Sequence, residues 1–326
     1  MTKFSLTHIL SAILALLSAT GLQSCHHKDL YYPEPQLTSR LYVRFEWSKA
    51  PQADPESMGA YLFEENGGNP LRFIFDNKDG GEIKAPCGKR HILFLNADNT
   101  SWIRMRKTDR LEEMELLTLD APDLSAQSLN STAVPRADDA SAGERFASTP
   151  LMLWGGRSDN HMISPHVGTD TITLSPEELI CHYMVDIYDV ENVRGLTYTS
   201  IDATLSGMAE GYSLGGSAAT DTPVTMPFIL SVNKDSASMH SEFLTFGECT
   251  NTTAPHNLTV YMLLNDGSRW WHTFDVTSQV TEAPDPRNVH IVLRGLPLPE
   301  APSVPSSSLI PNVNEWQSVN VTLPMK

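Results

Sequence analysis

From Leu41 onward apolar and polar residues alternate, with Leu41, Val43, Phe45 and Trp47 separated by Tyr42, Arg44 and Glu46. A period of two predicts a β-strand with one face on a core. Comparable runs follow at residues 58–63, 71–75, 81–85 and 91–96. The first two are joined by Glu64-Glu65-Asn66-Gly67-Gly68-Asn69-Pro70, rich in residues that accept positive φ, so the spacing predicts a hairpin and then a continuing meander. Residues 108–117 (TDRLEEMELL) fit a short helix or an edge strand equally well. Further on, period two returns at residues 171–174, in Tyr183, Val185 and Ile187, and in Val289, Ile291 and Leu293. The clearest element is a second hairpin. Leu258, Val260, Met262 and Leu264 share one face, Asn265-Asp266-Gly267-Ser268 makes the turn, and Trp270, His272, Phe274 and Val276 share the matching face of the return strand.

The segments between these runs suggest an organisation. Residues 120–149 are dominated by Ala, Ser, Asp and Pro and hold no sustained apolar period, which marks a linker or long loop between two domains. Residues 205–211 and 213–222 are rich in small side chains and read as a flexible loop. Residues 300–308 (EAPSVPSSS) form a Pro/Ser tether, after which Val319, Val321 and Leu323 alternate with Asn320 and Thr322, as in a strand that can dock elsewhere. The expected layout is an N-terminal targeting segment at 1–24, a polar stalk at 25–39, a first domain at 40–149, a second at 150–300, and a linker with a terminal strand at 301–326. With 40% hydrophobic residues in 326, there is material for two cores; 22 Pro, 19 Gly and 19% charged residues favour a loop-rich all-β fold over a helical bundle.

The N-terminus carries the most specific signal. Lys3 precedes a nine-residue apolar run at 9–17, too short to span a bilayer as a helix and the size of a signal-peptide core. The run leads to Leu22-Gln23-Ser24-Cys25, which resembles the lipobox of bacterial lipoproteins, with Cys25 as the acylated residue. The plainer alternative is a secretory signal beside a chance cysteine. Several acyl chains on one cysteine attach a protein stably to a membrane without a span. Residues 1–24 hold one lysine and no acid, so their removal takes the formal charge from -16 to -17. A body of that charge is poorly suited to bind nucleic acid, and the predicted membrane contact is the lipid, not charge. With Cys25 lipidated, Cys87, Cys181 and Cys249 allow at most one disulfide; Cys181–Cys249 is the expected pair if one forms, and small buried thiols are the alternative.

The chain lacks GxxxxGK[ST], GxGxxG, HExxH and CxxC, and no catalytic residue, cofactor or metal centre is expected. His182, His272 and His290 fall in predicted strands and read as hydrogen-bonded structural imidazoles; His26-His27 reads as a solvated pair. Glu112, Glu113 and Glu115 form no recognisable catalytic frame. Adjacent strand residues face opposite ways, so one of Trp270-Trp271 must point outward. Trp271 would then offer a ring for stacking on sugar or cover a neighbouring loop, and Trp102 is a second stacking candidate. Asp170-Thr171-Ile172 and Asp235-Ser236-Ala237 resemble the O-glycosylation sites of some anaerobe lipoproteins.

The runs Cys25-His26-His27-Lys28-Asp29-Leu30, Phe45-Glu46-Trp47-Ser48-Lys49-Ala50-Pro51 and Ala53-Asp54-Pro55-Glu56-Ser57-Met58 resemble fimbrillin-like lipoproteins of Gram-negative anaerobes. So do Phe243-Leu244-Thr245-Phe246-Gly247, Phe274-Asp275-Val276-Thr277, Glu282-Ala283-Pro284-Asp285-Pro286-Arg287 and Asn314-Glu315-Trp316-Gln317. The resemblance implies two tandem transthyretin-like (Greek-key) β-sandwich domains, a precursor lipidated at Cys25, and an outer-membrane protein of the cell surface that works in fimbrial assembly and adhesion. In shaft subunits of that group an arginine-specific protease removes the first strand, and the groove accepts a donor strand from the next subunit, which is β-augmentation. Arg40 is the matching kind of cleavage site, and Val319, Val321 and Leu323 the matching kind of donor or cap. Arg40 lies fifteen residues after Cys25 and ahead of the predicted first strand, so cleavage there would release the lipid without opening a groove. The expectation is therefore an accessory or anchor-like subunit that keeps its lipid, with the membrane and other fimbrial subunits as partners. The alternative is a surface glycan-binding lipoprotein that uses Trp271 or Trp102.

Overall fold

The computed structural model describes residues 37–65, 67–98, 101–121, 134–137, 139–165, 168–300 and 316–318. The first half supplies β1 (Thr38–Phe45), β2 (Met58–Glu64), β3 (Leu71–Phe75), β4 (Gly80–Pro86), β5 (Gly88–Asn96), β6 (Ile103–Arg106), β7 (Glu115–Thr118), β8 (Arg145–Phe146), β9 (Trp154–Ile163), β10 (Thr169–Leu174) and β11 (Glu177–Glu178). The second supplies β12 (Cys181–Tyr188), β13 (Ser200–Ala209), β14 (Gly211–Ser213), β15 (Ala218–Ala219), β16 (Pro223–Asn233), β17 (Ser238–Thr245), β18 (Asn257–Leu263), β19 (Arg269–Asp275), a one-turn helix α1 (Thr277–Thr281), β20 (Asn288–Arg294) and β21 (Trp316–Ser318). The fold is all-β, as the composition predicts.

The strands form four sheets. A three-stranded sheet runs β10-β1-β4, a five-stranded sheet β11-β9-β5-β2-β3 and a four-stranded sheet β15-β14-β7-β6. The largest runs β20-β12-β17-β16-β13-β18-β19-β21, with β8 also on β16. Burial alternates strictly along β1, with Ser39, Leu41, Val43 and Phe45 inward. β2 and β3 make the expected hairpin, Met58 opposite Phe75 and Leu62 opposite Leu71. The expected meander does not continue from it. β4 crosses to β1, with Leu41 opposite Ile83, and β5 then returns to β2. A tight turn at residues 77–80 makes that switch. The Asn77 side-chain oxygen accepts from the Asp79 and Gly80 N–H groups at 2.9 Å each, and Gly80 adopts φ +99 where a Cβ would stand 2.0 Å from the Val43 carbonyl oxygen.

The five-stranded sheet is covered on both faces. Met58, Ala60, Leu62, Ile92 and Phe94 join a cluster closed by Leu41, Val43, Phe45 and Ile172. Tyr61, Phe63, Leu93 and Leu95 join a second cluster with Met114, Leu116, Leu179, Ala209, Leu214 and Phe246. Strands buried on both faces lose their polar alternation, which is why residues 58–63 and 92–95 read as continuous apolar runs. A third and larger cluster is built on the largest sheet and includes Val185, Ile187, Leu205, Met226, Leu258 and Ile291.

The strand pairing does not divide at residue 149. β9 pairs with β5, β10 lies parallel to β1, and β11 pairs with β9, so the first two sheets draw on the chain as far as Glu178. Conversely β7 pairs with β14 and β8 with β16. The described part of the segment at 120–149 is a strap lying on the largest sheet. Glu144 accepts from the Gly207 N–H and the Thr225 hydroxyl, and Asp139 accepts from the Asn257 amide. Its polar composition reflects those hydrogen bonds and not solvent.

Three local expectations are settled differently or more sharply. The supposed flexible loop at 205–222 is largely strand: β13 bulges between Leu205 and Met208, and β14 lies so close to β7 that a Cβ on Gly211 would stand 2.1 Å from the Leu116 carbonyl oxygen. Small residues occupy that stretch because backbone approaches backbone there. Residues 108–117 resolve into turns followed by β7. The second hairpin forms in the predicted register, Leu258 opposite Phe274 and Val260 opposite His272. The Cys181–Cys249 pairing is not made. Cys87, Cys181 and Cys249 are all free, and Cys181 packs against the third cluster whereas Cys249 belongs to the second.

Because residues from both halves share the second cluster, Leu95→Ala is expected to lower the unfolding free energy by about 2–5 kcal/mol. Calorimetry should still show one cooperative transition. Two separated transitions would mean that the halves fold independently.

Candidate assembly surface

β1 occupies the middle of its sheet, bonded to β10 on one side and β4 on the other. Leu41, Val43 and Phe45 are fully buried, so loss of this strand would uncover the first cluster. Arg40 lies inside the strand and not ahead of it. The ladder begins at Thr38, and Arg40 stands between Thr169 and Lys84. The sequence pattern starts too late because the inward position before Leu41 is the polar Ser39. The Arg40 side chain itself is 70% exposed and pairs with Glu82 at 3.4 Å. Arg44 is also in the ladder and donates to the Thr173 hydroxyl at 3.0 Å.

The two ends of the largest sheet are covered differently. At β20 the Gln279 side chain from α1 forms a two-way bond with the edge: the Val292 N–H donates to Oε1 at 2.7 Å, and Nε2 donates to the Val292 carbonyl at 3.2 Å. At β19 the cover is the chain's own tail. β21 lies parallel to it, Trp316 beside Arg269, Gln317 beside Trp270 and Ser318 beside Trp271. The Trp316 ring stands edge-on to Tyr261 at 5.6 Å, and the Tyr261 hydroxyl donates to the Pro135 carbonyl at 2.7 Å. Tail and strap thus meet on one phenol, whose pKa is raised by burial. Val319, Val321 and Leu323 lie outside the described residues, as do Cys25 and His26-His27.

The aromatic candidates part company. Trp270 and Trp271 are both half-buried, the Trp270 indole donating to Ser268 at 3.0 Å, and Trp271 sits beside β21. Trp102, just before β6, is 58% exposed. The histidines of β12, β17 and β20 lie beside carboxylates on the outward face. His182 meets Glu178 at 2.6 Å, while Asp186 takes both His240 at 2.9 Å and His290 at 2.7 Å. A cleft of about 550 Å³ opens there, lined by His182, Met184, Glu242, Leu244, Asn288 and His290 among others. Burial would raise the Asp186 pKa, but hydrogen bonds and charge from His240 and His290 outweigh it and hold the carboxyl below its usual range. His272 is buried and stacks on Phe274 at 5.8 Å. Burial pushes the Cys181 and Cys249 thiols up, away from the nucleophilic thiolate. Among the described residues no group of three His, Cys, Asp or Glu side chains is placed to hold a metal ion.

Sequence reasoning missed Tyr261, Gln279 and the docking role of Trp316. The one signal available for them was an aromatic residue three positions before the alternation of Val319, Val321 and Leu323.

These features define an all-β protein in which both ends of the largest sheet are covered by the chain's own segments. The family model described as a domain of unknown function (DUF5119) matches residues 24–229, and the chain belongs to that family. Fim4B of Bacteroides ovatus, named as a proposed fimbrium anchoring subunit, is 20% identical over 255 residues, which cover 78% of this chain and 68% of the relative. A crystal structure from Bacteroides ovatus described as that of a candidate adhesin superposes with a TM-score of 0.57 at 17% identity, covering 86% of this chain and 99% of that one. The fimbrial anchor protein Mfa2 of Porphyromonas gingivalis matches with a TM-score of 0.46 at 13% identity, over 78% of this chain and 90% of its own. The resemblance to fimbrial proteins read from the sequence is borne out.

A carboxylate with a depressed folded pKa contributes stability above its unfolded value, near 3.8 for Asp186, and loses it as pH falls through the lower folded value. Asp186→Asn should therefore be less stable than the parent above about pH 4. The gap should close on acidification, as read by urea denaturation across pH. A gap that does not depend on pH would remove the two imidazoles as its cause.

Proposed function

We propose that the chain is a non-enzymatic outer-membrane lipoprotein, anchored through Cys25, that acts as an anchor or accessory subunit of a fimbria and assembles by strand complementation. The observation that carries this reading is the register of β21 on β19. Trp316 beside Arg269 and Ser318 beside Trp271 set a parallel ladder. Beyond it the sequence keeps an apolar period of two at Val319, Val321 and Leu323, the alternation that a donor strand or a cap requires. A strand that caps its own sheet edge in one state can be exchanged for a partner's strand in another. Similarity to a protein named as a proposed fimbrium anchoring subunit supports the same role.

The location of Arg40 inside a ladder bonded on both sides supports a subunit that keeps its lipid, because a protease needs the strand locally open. A second reading, a surface glycan binder, has one observation in its favour, the exposure of Trp102; Trp271 supports it less, being half-buried beside the tail.

Two measurements test the assembly reading. Intact mass of the mature protein should give an acylated form beginning at Cys25; a form beginning at Leu41 would overturn retention of the anchor. In cells that make fimbriae, the full-length protein should crosslink to a fimbrial subunit, and a chain lacking residues 316–326 should remain in the outer membrane with the crosslink lost. Undiminished crosslinking without the tail would sink strand complementation. Retained sugar binding that Trp102→Ala abolishes, with no crosslink, would favour the glycan reading.

A further inference from the structure

The outward face of the three-stranded sheet carries Arg40, Tyr42 and Arg44 from β1, Glu82 and Lys84 from β4, and Thr169, Thr171 and Thr173 from β10, all exposed. Three cations stand against one carboxylate, in a chain whose formal charge is -16. Arg40 is directly opposite Lys84 across the antiparallel ladder. Like charges in that position destabilise a strand pair. Glu82, 3.4 Å from Arg40 on the diagonal, offsets one of the two. Between the arginines Tyr42 presents an amphipathic ring. Cations and an exposed tyrosine on one face suit the headgroup region of an anionic bilayer.

The position of this face in the chain favours a bilayer over an acidic protein or glycan. It is built on the first described strand, and twelve residues lie between Cys25 and Thr38. Fully extended, they reach at most about 45 Å. On the lipoprotein reading above, on which this inference rests, the tether holds the membrane surface at high effective concentration beside this sheet. An anionic membrane repels the chain as a whole. Charges farther than about 8 Å from the surface are largely screened at physiological ionic strength, so local charge decides which side turns toward it. We propose that this face docks on an anionic membrane surface, with Arg40, Arg44 and Lys84 against headgroup phosphates, and so sets the orientation of the tethered body.

The test is lysine-reactive footprinting with peptide mass spectrometry on the full mature protein mixed with, or reconstituted into, phosphatidylcholine vesicles and vesicles that also contain phosphatidylglycerol. Lys84 should label at least about threefold more slowly on the anionic vesicles, with the other exposed lysines as internal reference. The double variant Arg40→Gln, Arg44→Gln should lose that protection while keeping the parent's melting temperature. Equal labelling of Lys84 on the two vesicle types would overturn the proposal. Protection that survives in the double variant would do so too, since the tether alone would then explain it. Protection of Lys84 by a soluble acidic polysaccharide but not by vesicles would reassign the face to a glycan. Intact mass of the same sample reports acylation: an unacylated chain still protected on anionic vesicles supports the face and removes only the anchor, and one without protection removes both.

Discussion

The molecule depends on one shared core. The five-stranded sheet has no solvent face, because Tyr61, Phe63, Leu93 and Leu95 are covered by residues as distant in sequence as Leu179, Ala209, Leu214 and Phe246. Neither half can complete that cluster without the other. The four-stranded sheet repeats the arrangement in its backbone, since β7 comes from the first half and β14 from the second. An apolar face left uncovered in either half would be a large exposed patch. Met114 and Leu116 from the first half and Leu214 and Phe246 from the second cover it together.

With the interior closed in this way, interaction is left to sheet edges and outer faces. Edges are the hazard of an all-β protein, since unpaired N–H and carbonyl groups invite another strand. One end of the largest sheet is blunted by a single glutamine side chain that satisfies one residue of β20 in both directions. The other is covered by three residues of backbone. A side-chain cap belongs to the same compact element and has no alternative partner. A tail strand has one, because an equivalent segment of another chain can make the same ladder. Gln279 thus covers one edge with a side chain and β21 the other with backbone; on the proposed assembly role only the second would be exchangeable.

Much of this was legible in the amino-acid sequence, and what was not has identifiable causes. Period two located β1, and the turn residues at 64–70 and 265–268 located the hairpins of β2 with β3 and of β18 with β19. Connectivity was not legible. Nothing in the spacing of residues 77–81 distinguishes a meander from a switch between sheets; the Asn77 turn does so, and its effect depends on where Val43 lies. The boundary near 149 misled because Ala, Ser, Asp and Pro mark a solvated linker and a hydrogen-bonded strap alike. Residues 205–222 misled for a related reason: small side chains permit flexibility in a loop and permit close backbone approach in a strand, and only the neighbour decides. Arg40 was read as lying ahead of the first strand, whereas the ladder starts at Thr38, since Ser39 fills an inward slot that an apolar pattern does not see.

The position of β1 ties these points together. A strand in the middle of a sheet is held by two ladders and by the burial of Leu41, Val43 and Phe45, so it leaves only when both ladders open. The chain therefore enters the body at a strand paired on both sides, not at an edge. Tension applied from the N-terminal side would load β1 along its axis, across hydrogen bonds to β10 and β4 that must shear together. An edge strand in the same place would peel one bond at a time. The proposed anchor role would call for the first arrangement. The same arrangement keeps Arg40 in a closed ladder and leaves its side chain on the outer face, free to meet whatever lies beside the sheet.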